Sequence, residues 1–507
     1  MARKTFLRRN RYFDSVFLMQ VARRIAAEPG VAGASALLAT EANRRLLAGM
    51  GFAEAELAGA GPNDLVLALE GEEAAVEAAG AALDAWLAPA AAPAGAPAPR
   101  SLAEALRERP DCSLAVISVP GEHAAREARA ALEAGLHVFL FSSNVPLQDE
   151  LALKLEARRR GLIVMGPDCG TAYLGGAGVG FANAVRRGPI GMVAAAGTGM
   201  QEFACLVHRA GSGISNGIGT GGRDLADAVG GLSAFAGIDA LEADPATRVI
   251  AVLAKPPGPA TAAALEARLG RCAKPSVLCL LGADPRPGRA GDLDEAARLA
   301  LEAAGLEAPD WLRPDPGALR ALALLRIRGL APEQRRVRGL FAGGTLCYQA
   351  QALFRAAGLE VHSNAPLPGM PALADPARSV AHAFVDLGAE QFVAGRPHPM
   401  IDATLRRARL EQEGRDPEVA VLLLDFILGA ISAADPAGDL LGAVRAIQAA
   451  RGGRICIVAS VCGTDEDAQG RRDQIEALEA AGVLVLPSAA QAAAFCREAA
   501  LLLGEVR

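Results

Sequence analysis

The stretch GPIGMVAAAGTGMQEFACLVHR, residues 188–209, decides how this chain is read. Residues 190–195 are an apolar run of strand length; Ala196, Gly197, Thr198 and Gly199 then make a turn of small residues. From about Gly199 the apolar side chains recur at helical spacing. A strand that passes through a glycine turn into a helix is the repeating unit of a parallel sheet. The alternation extends in both directions. Strand-like runs at 114–119, 138–142 and 162–165 are separated by helical segments at 122–134 and 148–160. Further runs follow at 213–222, 249–253, 276–281, 340–342, 420–424, 456–460 and 483–486. The expected class is α/β, multidomain, with parallel sheets. A smaller α/β unit is expected before residue 87, with helices at 15–27, 41–48 and 71–87 and strands at 34–38 and 63–69. An alanine- and proline-rich linker, 88–99, ends it, and a capping box at Ser101 and Glu104 opens the next segment.

At 507 residues the chain is too long for one core. Apolar residues make up 51 %, yet no run of about 18 of them could span a bilayer. The basic start MARKTFLRRN is not read as a signal peptide, because Asp14 breaks the apolar stretch and Arg23 and Arg24 follow it. A net charge of −6 argues against a nucleic-acid surface. The nine cysteines contain no C-x-x-C pair, so neither a zinc site nor a disulfide framework is expected and a reducing, cytoplasmic setting fits.

Four glycine turns lie between an apolar strand and a helix. They are Gly166-Pro167-Asp168-Cys169-Gly170-Thr171, Ala196-Gly197-Thr198-Gly199, Gly217-Ile218-Gly219-Thr220-Gly221-Gly222 and Ala342-Gly343-Gly344-Thr345. A helix start presents unpaired N–H groups and partial positive charge, and glycine lets the backbone approach an anion closely. None is a P-loop, since no Lys-Ser/Thr follows at the required spacing. Each alone is more readily a plain tight turn than an anion site; four in one chain shift the balance.

From residue 102 to about 305 the order of motifs resembles the α subunit of succinyl-CoA synthetase. GPDCGT stands for a GPNCPG-like turn, AAGTGMQE for SRSGTLTYE and GIGTGG for GIGGDP. From Gly339 onward the chain resembles the C-terminal flavodoxin-like domain of the β subunit, with VDLGAEQ for LDVGGGA and VLLLDFILGA for VLVNIFGGI. RYFDSVFLM near the start, GRPHPMID at 395–402 and VCGTDEDAQ at 461–469 are similar to the FdrA family, which joins these pieces in one chain. The resemblance implies a small N-terminal domain over 1–87, a Rossmann-like CoA-binding-type domain over 101–187, and two flavodoxin-like domains over 188–306 and 335–507.

The departures limit the chemistry. Where those ligases carry a phosphorylated His in a GHAGA-like stretch, this chain has Gly288-Arg289-Ala290-Gly291. Where they place a Glu beside that His, this strand ends in Lys255. No ATP-grasp stretch lies between Gly305 and Gly339, so no ATP site is expected, and CoA stays open as a cofactor because the glycine loop for its pyrophosphate is missing. What the resemblance retains is a meeting of two helix starts, expected near Thr198 and Gly429, with Lys255 and Arg289 nearby to hold a phosphoryl anion.

The expected anion-binding residues are therefore Gly197, Thr198, Gly199, Lys255, Gly429, Gly166, Gly219 and Gly221, with no metal site. Arg289, Asp425, Arg396 and His398 are expected to be catalytic. His398 sits between Pro397 and Pro399 with Arg396 before it, and His moves protons near neutral pH. Asp425 ends an apolar strand where a carboxylate has little reason to be unless it binds something. Cys169 reads as a small buried residue more readily than as a reactive thiol, and Glu202 either orients its loop or fills a first helical turn. The FdrA resemblance implies carbamoyl transfer between carbamoyl phosphate and oxamate, with partner protein subunits, in allantoin nitrogen catabolism. Acyl-CoA synthetase activity and a non-catalytic anion-binding scaffold are the alternatives.

Overall fold

The computed structural model describes residues 2–505 except 12, 14, 40, 58, 62–63, 89–98, 284–285, 287–288 and 394–396. Most of the expected linker and Arg396 lie outside the described residues. The chain divides into two compact units, Met1–Ala98 with Gly388–Thr404, and Pro99–Leu387 with Leu405–Arg507.

In the first unit the strands Ala2–Arg8, Leu65–Gly71 and Val31–Leu38 form an antiparallel sheet with Leu65–Gly71 in the centre. Leu65, Leu67 and Leu69 pack on one face with Leu18, Val21, Ile25 and Val76; Val66 and Ala68 pack on the other with Leu47, Phe52 and Leu57. Burial on both faces explains why the central strand is a continuous apolar run. The N-terminal strand was hidden in the sequence by its charges. Arg3, Lys4 and Arg8 pair with Glu70, Glu77 and Asp84, which lets a basic segment serve as a sheet edge.

The second unit holds three sheets among the described residues. Leu114–Ile117, His137–Leu140 and Val164–Met165 form a three-stranded parallel sheet. A seven-stranded sheet runs in the order Arg289–Ala290, Ser276–Leu280, Val249–Ala254, Arg187–Ala194, Ile214–Gly219, Thr171–Leu174, Ala177–Gly180. It is parallel except for the last two strands, an antiparallel hairpin that sequence reading did not anticipate. The six-stranded sheet is parallel throughout, in the order His362–Ser363, Ala383–Asp386, Arg336–Phe341, Val419–Ile427, Cys456–Cys462, Leu484–Leu486. The fold is α/β, as expected.

Helices Gly197–Arg209 and Gly344–Ala356, one from each large sheet, pack against each other. Both are buried almost all round, which is why neither shows a polar face. Asn183 and Asp467 lock the neighbouring connection: Asn183 Nδ2 donates to Leu428 O and to Asp467 Oδ2, both at 2.9 Å. Lys154, fully buried, donates to Glu150 and Asp224 at 2.8 Å and to Thr220 O at 3.0 Å. It thereby ties the helix Leu147–Arg160 to the seven-stranded sheet.

Candidate anion site

The strands Arg187–Ala194 and Val249–Ala254 are parallel neighbours, so the turn at residues 195–198 and Lys255 emerge side by side at the same sheet edge. The helix that begins at Gly197 is capped by Ala196 without a side-chain hydrogen bond. The N–H groups of Gly197, Thr198 and Gly199 have no hydrogen-bond partner among the described residues, since the first intrahelical bond runs from Met200 N to Ala196 O. A Cβ on Gly197 would meet nothing within 4 Å. The turn thus opens onto space. Lys255 Nζ has no ion pair or hydrogen bond among the described residues; it lies 5.4 Å from the centre of the Tyr348 ring. Burial pushes the Tyr348 hydroxyl up to about 12, so that phenol stays protonated beside the ammonium.

The partner helix differs from the expected one. Thr198 faces the start of Gly344–Ala356: Thr345 N donates to Thr198 Oγ1 at 3.3 Å. A Cβ on Gly199 would lie 2.8 Å from Thr345 Cγ2. Gly429 starts no helix, because the next one is Gly438–Ala450. With φ +137°, Gly429 lies against the strand connection at Phe181, whose carbonyl oxygen would be 2.2 Å from a Cβ there. Its glycine serves a backbone crossing.

The other sequence candidates divide between structural and separate positions. Gly166, Gly219 and Gly221 are pressed against protein backbone, where added Cβ atoms would lie 2.3 Å from Leu140 O, 2.4 Å from Thr171 O and 2.2 Å from Pro167 O. Close packing of two turns, and not an anion, demands glycine there. Arg289 pairs with Glu266 at 3.3 Å, so its charge is already matched. Asp425 binds its own chain: its carboxylate accepts from Ala342 N at 2.8 Å and Gly343 N at 2.7 Å, and pairs with buried Arg406 at 2.9 Å. Glu202 accepts from Ala489 N at 3.0 Å and so caps the helix Ala489–Glu505. Cys169 is buried and its thiol is pushed up to about 12, the inert reading.

His398 belongs to the unit formed with residues 1–98. Its Nδ1 accepts from Met400 N at 3.3 Å, which places the proton of the neutral ring on Nε2. Desolvation lowers it to about 4, so at neutral pH it is a neutral hydrogen-bond donor and not a group poised to exchange protons. Thr345, Tyr348, Asp386 and Arg406 were missed as individual residues, although the glycine turn before Thr345 had marked the place.

Residues 340–498 match the CoA-ligase family model, which makes the chain a member of the acyl-CoA synthetase superfamily. Residues 1–101 match a model described as AllF, heavy metal-associated domain. The chain is 41 % identical over 511 residues to the uncharacterized protein YahF of Escherichia coli, covering 98 % of each, and it belongs to the FdrA family. It is 29 % identical over 216 residues to the succinate–CoA ligase α subunit of Methanothermobacter thermautotrophicus, covering 40 % of this chain and 72 % of that one. Among solved structures, the dinucleotide-forming acetyl-coenzyme A synthetase 1 of Ca. Korarchaeum cryptofilum, in complex with phosphate and ADP, has a TM-score of 0.29 at 16 % identity, covering 78 % of this chain and 85 % of that one.

Two groups suggested by these families can be tested against the residues present. Residues 1–101 contain neither Cys nor His, so no thiolate or imidazole is present there to hold a metal. In the three-stranded sheet the first strand-to-helix turn has one glycine, Gly121, whose added Cβ would lie 2.3 Å from Ser143 O. That turn is closed by protein and offers no glycine cradle for the CoA pyrophosphate. Among the described residues no helix is long and apolar enough to cross a membrane.

Proposed function

We propose that this chain is the phosphate-holding subunit of a transferase acting on an acyl phosphate, and specifically of a complex that passes a carbamoyl group between carbamoyl phosphate and oxamate in allantoin nitrogen catabolism. The observation that carries the reading is the joint presence of three N–H groups, at Gly197, Thr198 and Gly199, and the ammonium of Lys255, none of which has a hydrogen-bond or ion-pair partner among the described residues. N–H groups and an ammonium stabilise a phosphate dianion as it leaves the carbamoyl carbon. A cationic lysine cannot relay a phosphoryl group as a phospho-histidine does, so phosphate departs or attacks directly. In the forward sense the acceptor nitrogen bonds to the carbamoyl carbon, the C–O bond to phosphate breaks, and the acceptor proton is released. Partner subunits supply the acceptor site in this reading.

The test is to purify the chain together with the products of its genomic neighbours and follow phosphate-dependent cleavage of a carbamoylated acid. Activity should appear in the complex and fall at least about 10-fold in Lys255→Met, the effect of one lost charge-assisted bond. Full activity in that variant would overturn the site. The CoA-ligase match of residues 340–498 motivates one alternative, CoA-dependent acyl transfer, and formation of an acyl-CoA by the same complex would favour it.

A further inference from the structure

Of the 51 Lys and Arg residues in this chain only four are lysines, and three of those are already engaged. Lys4 pairs with Glu77, Lys154 joins Glu150 and Asp224, and Lys274 donates to Leu241 O at 2.9 Å and to Asp244 O. Lys255 is the fourth: it follows the strand Val249–Ala254 and has no hydrogen bond or ion pair among the described residues. A lysine stem is flexible, so an ammonium without a partner is ordinarily spread over many positions. This one lies 5.4 Å from the centre of the Tyr348 ring, inside the roughly 6 Å reach of a cation–π contact. Tyr348 stands near the start of the helix Gly344–Ala356, one turn after Thr345, whose amide meets Thr198. Tyr348 is 8 % exposed, so packing fixes its ring. Burial pushes the adjacent Cys347 thiol up, and Lys255 opposes part of that rise, which places the ammonium close to the same helix turn.

We propose that Tyr348 is a positioning residue for Lys255: its ring, carried by a helix of the six-stranded sheet, holds the ammonium that the seven-stranded sheet supplies beside the turn at Gly197. A carboxylate could hold the lysine as firmly, but it would cancel the charge and repel an incoming anion. An aromatic face attracts a cation through its quadrupole and adds no net charge. The ammonium therefore keeps its attraction for phosphate, and less side-chain freedom remains to be lost when the anion binds. The phenol adds no negative charge either, since burial pushes it up to about 12. Ring and lysine belong to different sheets, so the cation is in place only while the helices Gly197–Arg209 and Gly344–Ala356 stay packed together. This inference rests on the anion site proposed above and deepens it by naming what orients its cation.

Two measurements on the full-length chain test it, calorimetric titration of inorganic phosphate and NMR of methylated lysines. Tyr348→Leu should weaken phosphate binding by about 3- to 10-fold, the size of one cation–π contact. Tyr348→Phe keeps the ring and should stay within about 2-fold of the wild type. Reductive methylation with isotope-labelled formaldehyde gives few signals in a chain with four lysines, and the signal missing from Lys255→Arg belongs to Lys255. That signal should be displaced by the ring current of Tyr348, remain displaced in Tyr348→Phe, and move to the position of an unstructured lysine in Tyr348→Leu. A Lys255 signal that is undisplaced in the wild type overturns the proposal by itself, even where the leucine variant does not fold. Equal phosphate affinity in the wild type and Tyr348→Leu would overturn it as well. No phosphate binding in the wild type, together with a displaced signal that depends on Tyr348, would reject the anion site while keeping the placement of the lysine.

Discussion

Lys255 and His398 show how differently two candidate charges end up once the chain folds. Lys255 finds an aromatic ring and no carboxylate partner among the described residues, so its charge is available to a ligand. Lys255→Arg should therefore keep part of the phosphate affinity that Lys255→Met loses, with calorimetric titration of inorganic phosphate as the measurement. His398 moves the other way, held neutral by burial with a folded value of about 4. The unfolded chain takes up this proton below about 6.5. Between those pH values the unfolded state binds more protons, so the contribution of His398 to stability is full above about pH 6.5 and is lost as pH falls towards 4. The lost stabilisation is at most about 3 kcal/mol. His398→Asn retains an oxygen that can accept from Met400 N. Urea midpoints measured from pH 7.5 to 4 should fall less steeply in this variant than in the wild type, and parallel curves would show that His398 does not titrate as described.

At the level of elements, the glycines separate into those that meet open space and those that meet backbone, and sequence alone does not distinguish them. Gly197 belongs to the first kind, and a Cβ on Gly199 would collide with Thr345. Gly197→Ala should be neutral or stabilising by about 1 kcal/mol, since alanine is the better helix former, while Gly199→Ala and Gly429→Ala should each lower the thermal midpoint markedly. Equal midpoints for all three would contradict the packing of the two helices. The same distinction explains what was legible. The turn before helix Gly197–Arg209 was readable because an apolar strand and a helical apolar pattern bracket it, and its companion Lys255 came from the resemblance to the ligases, at the place of their Glu. Gly429 was misread because a glycine after the run Val419–Ile427 looks the same whether it starts a helix or lets the chain pass Phe181 O. Asp425 was expected to be catalytic, and the structure places its carboxylate on the neighbouring turn, where it accepts from the amide of Ala342, 83 residues away in the chain. The strand Ala2–Arg8 was missed because its basic side chains are matched only by acids more than sixty residues onward.

Within the larger unit, the three-stranded and seven-stranded sheets need a reason to unfold together, and the buried charges between them supply one. Lys154 is 1 % exposed and joins Glu150 of its own helix to Asp224, whose oxygens also accept from Ser233 N at 3.1 Å and Ala234 N at 2.9 Å. The cation therefore links the helix covering the three-stranded sheet to the capped start of the helix Leu232–Ala243 in the next layer. Replacing it by Met fits the volume but leaves two carboxylates in a dry interface without their shared cation, a cost of about 3–5 kcal/mol. Glu150 keeps Arg223 at 2.9 Å, and Asp224 keeps its two amides, so the penalty arises mainly from lost coupling between the layers. Hydrogen exchange of Lys154→Met should show early loss of protection across 114–165, with the sheet of 336–462 unaffected. Adding Glu150→Gln should recover part of the loss by removing one unbalanced charge. If Lys154→Met instead lowers protection uniformly across all three sheets, the interface is not a separable joint, and the unit unfolds as one cooperative block.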